Sequence, residues 1–414
     1  MSHTQPTPEI GPGPPAWPYE LLDIPGLRAG GWRPSPFRDF VLKVHQRCNL
    51  ACDYCYVYTK ADQTWRDRPT VMPREVWQAA GARIAEHVRG HSLTEVRVIL
   101  HGGEPLLAGP ELLPSLVADV RAALPRSCQA EFCLQTNGVL LTEPILLTLQ
   151  ENSISVGVSI DGTGADNDRH RRRADGRGSY PAVRDALGLL ADPRHRSAYA
   201  GLLCTVDPQA DPIACYEALL HYLPPTVDFL LPHANWASPP LRPLDAGATP
   251  YGDWLVAVFD RWYDAARQET RVRLFEETIR LVLGGQSRSE QVGLSPVAIV
   301  VIETDGAVEQ VDSLKSTYAG ACATGLSVLA DPLDVALENP GIVARQIGLA
   351  ALCDTCRQCP VHQICGGGHY AHRYRPDVGF RNPSVYCGDL HRLIDHVQGR
   401  VAIDVASRLA ATGR

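Results

Sequence analysis

The 414-residue sequence contains no run of 18 uncharged apolar residues, so nothing in it reads as a membrane span. Its opening, MSHTQPTPEIGPGPPAWPYE, lacks a basic stretch followed by an apolar one, so secretion is not indicated and a cytoplasmic location is expected. Long runs of one charge are also missing. Lys and Arg number 39 against 46 Asp and Glu, a formal net charge of −7. Without a basic stripe, nucleic acid is not expected as the main partner, and no membrane partner is expected either. The densest basic stretch, His170-Arg-Arg-Arg173, is short enough to be a solvated loop or an anion clamp. The remaining composition, 45% hydrophobic and 21% charged, is that of an ordinary globular protein. The length suits one large domain and a smaller one.

Cysteine is the exception: there are 13, and in a reducing compartment they point to metal binding rather than disulfides. Cys48, Cys52 and Cys55 stand in a CxxxCxxC spacing within Val44-His-Gln-Arg-Cys-Asn-Leu-Ala-Cys-Asp-Tyr-Cys-Tyr56. Three thiolates on one short loop can hold three irons of a 4Fe–4S cube and leave the fourth open to a small molecule. A zinc knuckle, a disulfide pair or packed small hydrophobes compete with that reading. Structural zinc sites, however, usually close with two ligand pairs. Packing gives no reason for three cysteines to sit so close to Asn49, Asp53 and Tyr54.

Residues 1–36, rich in Pro and Gly, are expected to form an irregular lead-in on the surface. Strand-length apolar runs then appear at 40–44, 96–100, 131–134, 154–160, 201–206 and 227–231. Helical patterns separate them at about 73–89, 111–124, 143–149, 180–190 and 212–222. Pro73, Pro144, Pro181 and Pro212 suit first helical turns, and Ser179 suits an N-cap. Such alternation predicts right-handed βαβ units on a parallel sheet, with ligands at the carboxyl ends of the strands. CNLACDYC, His101-Gly-Gly-Glu-Pro105, Gln135-Thr-Asn-Gly138 and Asp161-Gly162 follow the first four strands in turn. Their meeting at one edge is predicted by the topology alone. A helical connector is expected over 251–289, with Trp254, Val258, Trp262 and Tyr263 as a core stripe. A hairpin over 297–311 turning at Asp305-Gly306 and a terminal helix over about 390–409 complete the pattern.

CNLACDYCY resembles the signature of the radical S-adenosylmethionine (SAM) superfamily, including the aromatic Tyr54 before the last cysteine. The resemblance implies a partial (β/α)6 barrel over 37–250 and a SAM-bound 4Fe–4S cluster on Cys48, Cys52 and Cys55. It also implies that Gly102, Gly103 and Glu104 hold the methionyl amino group. Ser159 and Asp161 would lie near the ribose and the substrate. Arg171, or alternatively Arg172, would pair the SAM carboxylate, as a guanidinium can do in bidentate fashion. Asn137 reads equally as a SAM-site residue or a turn residue.

A second set, Cys353, Cys356, Cys359 and Cys365 with Cys387 downstream, is a strong metal signal, zinc being the rival to iron. It resembles the SPASM extension of peptide-modifying radical SAM enzymes, which the sequence places in an α/β fold with a cysteine-rich C-terminal domain over 290–414. The resemblance assigns Cys356, Cys359, Cys365 and Cys387 to one auxiliary 4Fe–4S cluster. His369 stands where the family has another cysteine, and Val311-Asp312 where it has one after the hairpin. A second auxiliary cluster is therefore expected to be absent. Cys353 could compete with Cys387, and Cys322 has no assigned role. Cys128, Cys133, Cys204 and Cys215 read as small hydrophobes.

LLPHANW, GGQSRSEQVGLSP, IETDGAVEQVDSLKS, CGGGHYAHRYR and NPSVYCGDL together resemble FxsB-type radical SAM/SPASM proteins, similar to the enzymes that form three-residue cyclophanes. This implies a ribosomal precursor peptide as substrate and an external donor such as a flavodoxin or ferredoxin. An aromatic ring and a β-carbon would be crosslinked, with Asp305, Asp312 or His369 as the base. Thioether or formylglycine formation is the alternative reaction, and a zinc-containing peptide-binding protein the non-enzymatic one.

Overall fold

The structure is a computed structural model that describes residues 15–242 and 247–411. One ten-stranded sheet runs through it in the order β10-β9-β8-β1-β2-β3-β4-β5-β6-β7. The strands are β1 Asp39–His45, β2 Glu95–Gly102, β3 Gln129–Thr136, β4 Ile154–Ser159, β5 Tyr199–Thr205, β6 Thr226–Leu230, β7 Arg271–Val272, β8 Ile299–Ile302, β9 Ala307–Glu309 and β10 Ala323–Ser327. Each of the six anticipated strands forms, and from β8 through β1 to β7 every pairing is parallel. The helices between them bury one apolar stripe each. In Arg74–Gly90, for example, Val76, Trp77, Ala80, Ile84 and Val88 face the core at helical spacing. On β1 the same logic has period two, with Phe40, Leu42 and Val44 in the main core. Lys43 lies on the opposite face, and it too is fully buried.

Several local features differ from expectation for identifiable reasons. The helical stretch after residue 250 is two helices, Pro250–Tyr263 and Arg273–Val282, because Arg271 and Val272 pair with Thr226 and Val227 as β7. Its stripe is nonetheless core, with Trp254 and Val258 buried and Trp262 and Tyr263 packed on it. Ser179 occupies the N-cap position of Tyr180–Ala191 without capping through its side chain. Asp168 does that work, accepting both the Ser179 and Tyr180 N–H groups at 2.9 Å. The Ser179 hydroxyl is committed elsewhere, donating to the Arg171 carbonyl at 2.6 Å. Residues 1–14 of the anticipated lead-in lie outside the described residues. The rest holds two short helices, Ala16–Tyr19 and Ile24–Ala29, and Trp17 is buried with Tyr370, Tyr374 and Phe380.

The C-terminal region is joined to the sheet rather than hung from it. β8 pairs in parallel with β1, while β9 and β10 add an antiparallel edge, turning at Asp305-Gly306 as the sequence predicts. Beyond them come short helical turns and the long helix Cys387–Ala411. No described helix is long and apolar enough to cross a membrane.

Candidate active site at the carboxyl end of the sheet

The cysteine loop leaves β1 and folds back under its own hydrogen bonds. Gln46 N–H donates to Thr70, and Ala51 N–H to Arg172, each at 2.7 Å. The Cys48 sulfur accepts the Leu50 N–H at 3.4 Å and the Asn137 side-chain amide at 3.6 Å. Asn137 also donates to Asn49 at 2.7 Å and accepts the Val139 N–H at 3.0 Å, so it is turn residue and cysteine partner at once. Burial pushes the Cys48 thiol up to about 12. It pushes Cys52 up to about 11, opposed chiefly by Arg171. Thiols so placed ionise readily only when a metal supplies positive charge. The donor set therefore fits a 4Fe–4S cluster on Cys48, Cys52 and Cys55. Two buried donors beside it, Asn49 Nδ2 and Arg171 Nε, have no partner within the chain, as expected of residues that face a polar ligand such as SAM.

Gly102 and Gly103 make room for the chain itself. A Cβ on Gly103 would lie 1.8 Å from the Tyr58 hydroxyl and 2.5 Å from the Arg47 carbonyl. One on Gly102 would lie 2.3 Å from the His45 carbonyl. It is the chain's own cysteine loop that approaches this backbone, held by Gly103 N–H to His45 at 2.8 Å and Glu104 N–H to Arg47 at 3.0 Å. Glu104 is fully buried, and its carboxylate accepts from Thr136 Oγ1 at 2.7 Å, Asn137 N at 2.8 Å and Leu106 N at 3.0 Å. That carboxylate locks the ends of β2 and β3 together.

On the other side, Tyr54 bridges Asp161 and Arg171. Its hydroxyl donates to Asp161 Oδ2 and accepts Arg171 Nη1–H at 2.9 Å. Asp161 Oδ1 takes the Thr205 N–H at 3.0 Å, so both oxygens are occupied and the residue orients Tyr54. Ser159 accepts from Gln135 at 2.9 Å. Arg172, the alternative to Arg171, is exposed and bonds the Asp168 carbonyl. Outside these, His170 lies 3.0 Å from Asp53 of the cysteine loop and 3.2 Å from Asp207 beyond β5. Its hydrogen bond to Asp207, against burial and aided by Asp53, raises it to about 9.

On the sheet face opposite Phe40, Leu42 and Val44 lies a buried ion network that sequence reasoning missed. Lys43 Nζ meets Asp312 Oδ2 at 2.5 Å, and Lys315 Nζ meets Glu303 and Glu309 at 2.8 and 3.0 Å. Arg68 adds a bond to Glu309 at 2.5 Å. The one sequence signal was a lysine inside an otherwise apolar strand, Phe40-Val-Leu-Lys-Val44. The three base candidates fall into different settings. Asp305 is a turn residue accepting the Ala307 N–H at 3.0 Å. His369 caps the turn Tyr370–Arg373, accepting the Ala371 N–H at 3.3 Å, and burial drives its pKa well down. Asp312 is buried, and its Oδ1 has no partner. Burial would raise Asp312, but Lys43 and Lys315 bring it below the ordinary carboxylate value.

The second cysteine set gathers on the turns Asp354–Gln358 and His362–Cys365 and the first residue of the terminal helix. Burial, then Cys353 alongside, pushes Cys356 up to about 12. Burial also lifts Cys365 to about 11 and raises Cys387, with Cys359 a neighbour of both. Cys353 thus joins the four anticipated thiols. Arg373 organises the loop beneath them, its guanidinium donating to the carbonyls of Gly366, Gly367 and Gly368 at 2.6, 3.0 and 2.6 Å. Those three glycines all have positive φ, which turns successive carbonyls toward one cation. The donor chemistry fits an iron–sulfur cluster. Cys322 lies apart, buried and donating to the Val311 carbonyl. Cys128, Cys204 and Cys215 are buried as small hydrophobes, whereas Cys133 is only partly so.

Residues 42–196 match the model of the radical SAM superfamily. The chain is 27% identical over 268 residues to the serine-type anaerobic sulfatase-maturating enzyme of Bacteroides thetaiotaomicron, covering 61% of this chain and 63% of that protein, a little under two thirds. It is 26% identical to the cysteine-type enzyme of Clostridium perfringens (strain 13 / Type A), covering 64% and 71%. The solved structure of native anSMEcpe with bound AdoMet and Cp18Cys peptide superposes with a TM-score of 0.74 at 21% identity, covering 90% of this chain and 99% of that one. The cofactors of this superfamily, a 4Fe–4S cluster and SAM, are those that the donor set around Cys48, Cys52 and Cys55 fits. Residues 42–196 are therefore similar to the radical SAM superfamily, within a fold shared with anSMEcpe.

Proposed function

We propose that the protein is a radical SAM maturase that oxidises a side chain of a protein or peptide substrate, with formylglycine formation from cysteine or serine the reaction best supported. The observation that carries this reading is the joint similarity, in sequence to serine- and cysteine-type sulfatase-maturating enzymes and in fold to a peptide-bound anSMEcpe. The cyclophane crosslink implied by the FxsB-type motifs is the second reading. It is favoured by the way LLPHANW and CGGGHYAHRYR converge, bringing His233 against His369 and His372.

When bound at the cluster, SAM would supply the carbon radical needed to abstract a hydrogen atom from the substrate β-carbon. The chain's residues do the rest. Cys48, Cys52 and Cys55 would hold the cluster. Arg171, positioned through Tyr54 and Asp161, offers its free Nε–H to the SAM carboxylate. Asp312 accepts the proton released as the side chain is oxidised, its Oδ1 being the free oxygen. Cys356, Cys359 and Cys365, with Cys387 or Cys353, would hold an auxiliary 4Fe–4S cluster, a ready electron acceptor.

The test is mass spectrometry of candidate peptides incubated with reconstituted enzyme, SAM and reductant, followed by an aldehyde-reactive hydrazide. A hydrazide adduct supports formylglycine. A loss of two hydrogens with no adduct and a new ring–β-carbon bond overturns it in favour of the cyclophane.

A further inference from the structure

We propose that His233, His369 and His372 form a binding site for one divalent transition-metal ion, built without any cysteine of either set. His233 comes from the loop after β6, and the other two from the segment after the glycine run. Their ring centroids lie 5.4, 5.7 and 4.9 Å apart, and one nitrogen from each falls within 4.8 Å of the other two. Two aromatic edges hold the trio in place, Tyr56 against His233 at 4.8 Å and Tyr386 against His372 at 4.9 Å.

The second observation is the state of the ring nitrogens. His372 is 3% exposed, yet neither of its nitrogens has a partner, and His233 Nδ1 is also buried and unpartnered. A neutral imidazole carries one N–H and one lone pair. Leaving either buried and unpaired costs about 1–3 kcal/mol. A metal ion at the centre of the trio takes up three lone pairs at once. His369 accepts the Ala371 N–H on Nδ1 across a long 3.3 Å. Binding through Nδ1 in place of that bond leaves its Nε2–H facing Glu290 Oε2, 4.0 Å away, on a carboxylate held by Arg345 at 2.7 Å. That places the carboxylate within a small shift of a carboxylate–histidine–metal relay, the arrangement in which an outer carboxylate fixes the ligand tautomer. Three imidazoles with a fourth position left to water or a ligand match the donor set of three-histidine zinc centres.

The inference does not depend on the reaction proposed above. The test equilibrates the anaerobic holoenzyme with one equivalent of zinc, desalts it, counts the metal and reads its coordination at the zinc K-edge. We expect about one zinc per chain, bound by nitrogen and oxygen at about 2.0–2.1 Å. His372→Asn and His233→Asn should lose that zinc while iron content is unchanged, and Glu290→Gln should bind it about 10- to 100-fold more weakly. Retention of no zinc overturns the proposal for iron(II) and manganese(II) as well, since imidazole sites bind zinc more tightly than either. Zinc at the sulfur distance of about 2.3 Å, or zinc retained equally by His372→Asn, also overturns it. Should the histidine variants fail to fold, unchanged zinc affinity in Glu290→Gln has the same force.

Discussion

At the scale of the residue, Asp312 has one oxygen on Lys43 and the other buried and free. Asp312→Asn is expected to lower the rate of product formation by about 10²–10⁴ while SAM cleavage to 5′-deoxyadenosine continues. Product formation at the native rate would show that the proton goes elsewhere. Asp305→Asn, at a half-exposed turn position, should change the rate less than about twofold. Three acidic or imidazole candidates were equally visible in the sequence, because residue type announces proton chemistry and spacing does not reveal which atom is left without a partner. Gly102 and Gly103 carry the same lesson. The sequence shows that something must come close to the backbone there, and only the fold shows that the cysteine loop does so.

At the scale of the element, His170 ties the cysteine loop to the segment after β5 through Asp53 and Asp207. The folded-state pKa of His170, about 9, lies above its ordinary 6.5. The stabilisation is therefore fully present below about 6.5 and lost as pH rises through about 9. Asp207 runs the other way: burial opposes it, but bonds from His170, Gln209 and Arg169 bring it down to about 2, so its share is lost only in strong acid. Melting temperatures taken from pH 6 to 10 should fall less steeply in His170→Gln than in the native chain, and parallel curves would remove the clamp. In the C-terminal cysteine region, Arg373→Ala leaves three glycine carbonyls without their cation. It is expected to destabilise the fold by about 3 kcal/mol and to drop bound iron by about four per chain, read by denaturation and iron analysis. Cys353→Ala and Cys387→Ala, compared in the same assay, decide which thiol completes that cluster. Elements of this kind were legible as far as periodicity reaches. Every βα repeat was visible, whereas the cap on Tyr180–Ala191 was not, because Asp168 reaches it from the short helix Gly164–His170, eleven residues upstream of Ser179.

At the scale of the whole molecule, β8 to β10 continue the sheet that β1 begins, so β1 is flanked on both sides only when the C-terminal segment is present. A chain ending after residue 242 would expose β1 as an open apolar edge. It is expected to aggregate where the full chain stays monodisperse in size-exclusion chromatography. A well-behaved monomer from that truncation would count against the shared sheet as a stabilising feature. The sequence located the four motif-bearing strand ends and both cysteine sets because those are local signals. The joining of β8 to β1 was hidden because it pairs positions some 260 residues apart, for which a single chain carries no periodic mark.

The contact between Lys43 and Asp312 spans 269 residues and is buried. At ribosomal speeds of roughly 5–20 residues per second, a newly made Lys43 waits tens of seconds for its counter-ion. A lone ammonium is too costly to bury during that interval. The amino-terminal half must consequently stay open on the ribosome until the final quarter of the polypeptide emerges. Nascent chains stalled before residue 312 should be cut by protease near β1, while completed ones resist.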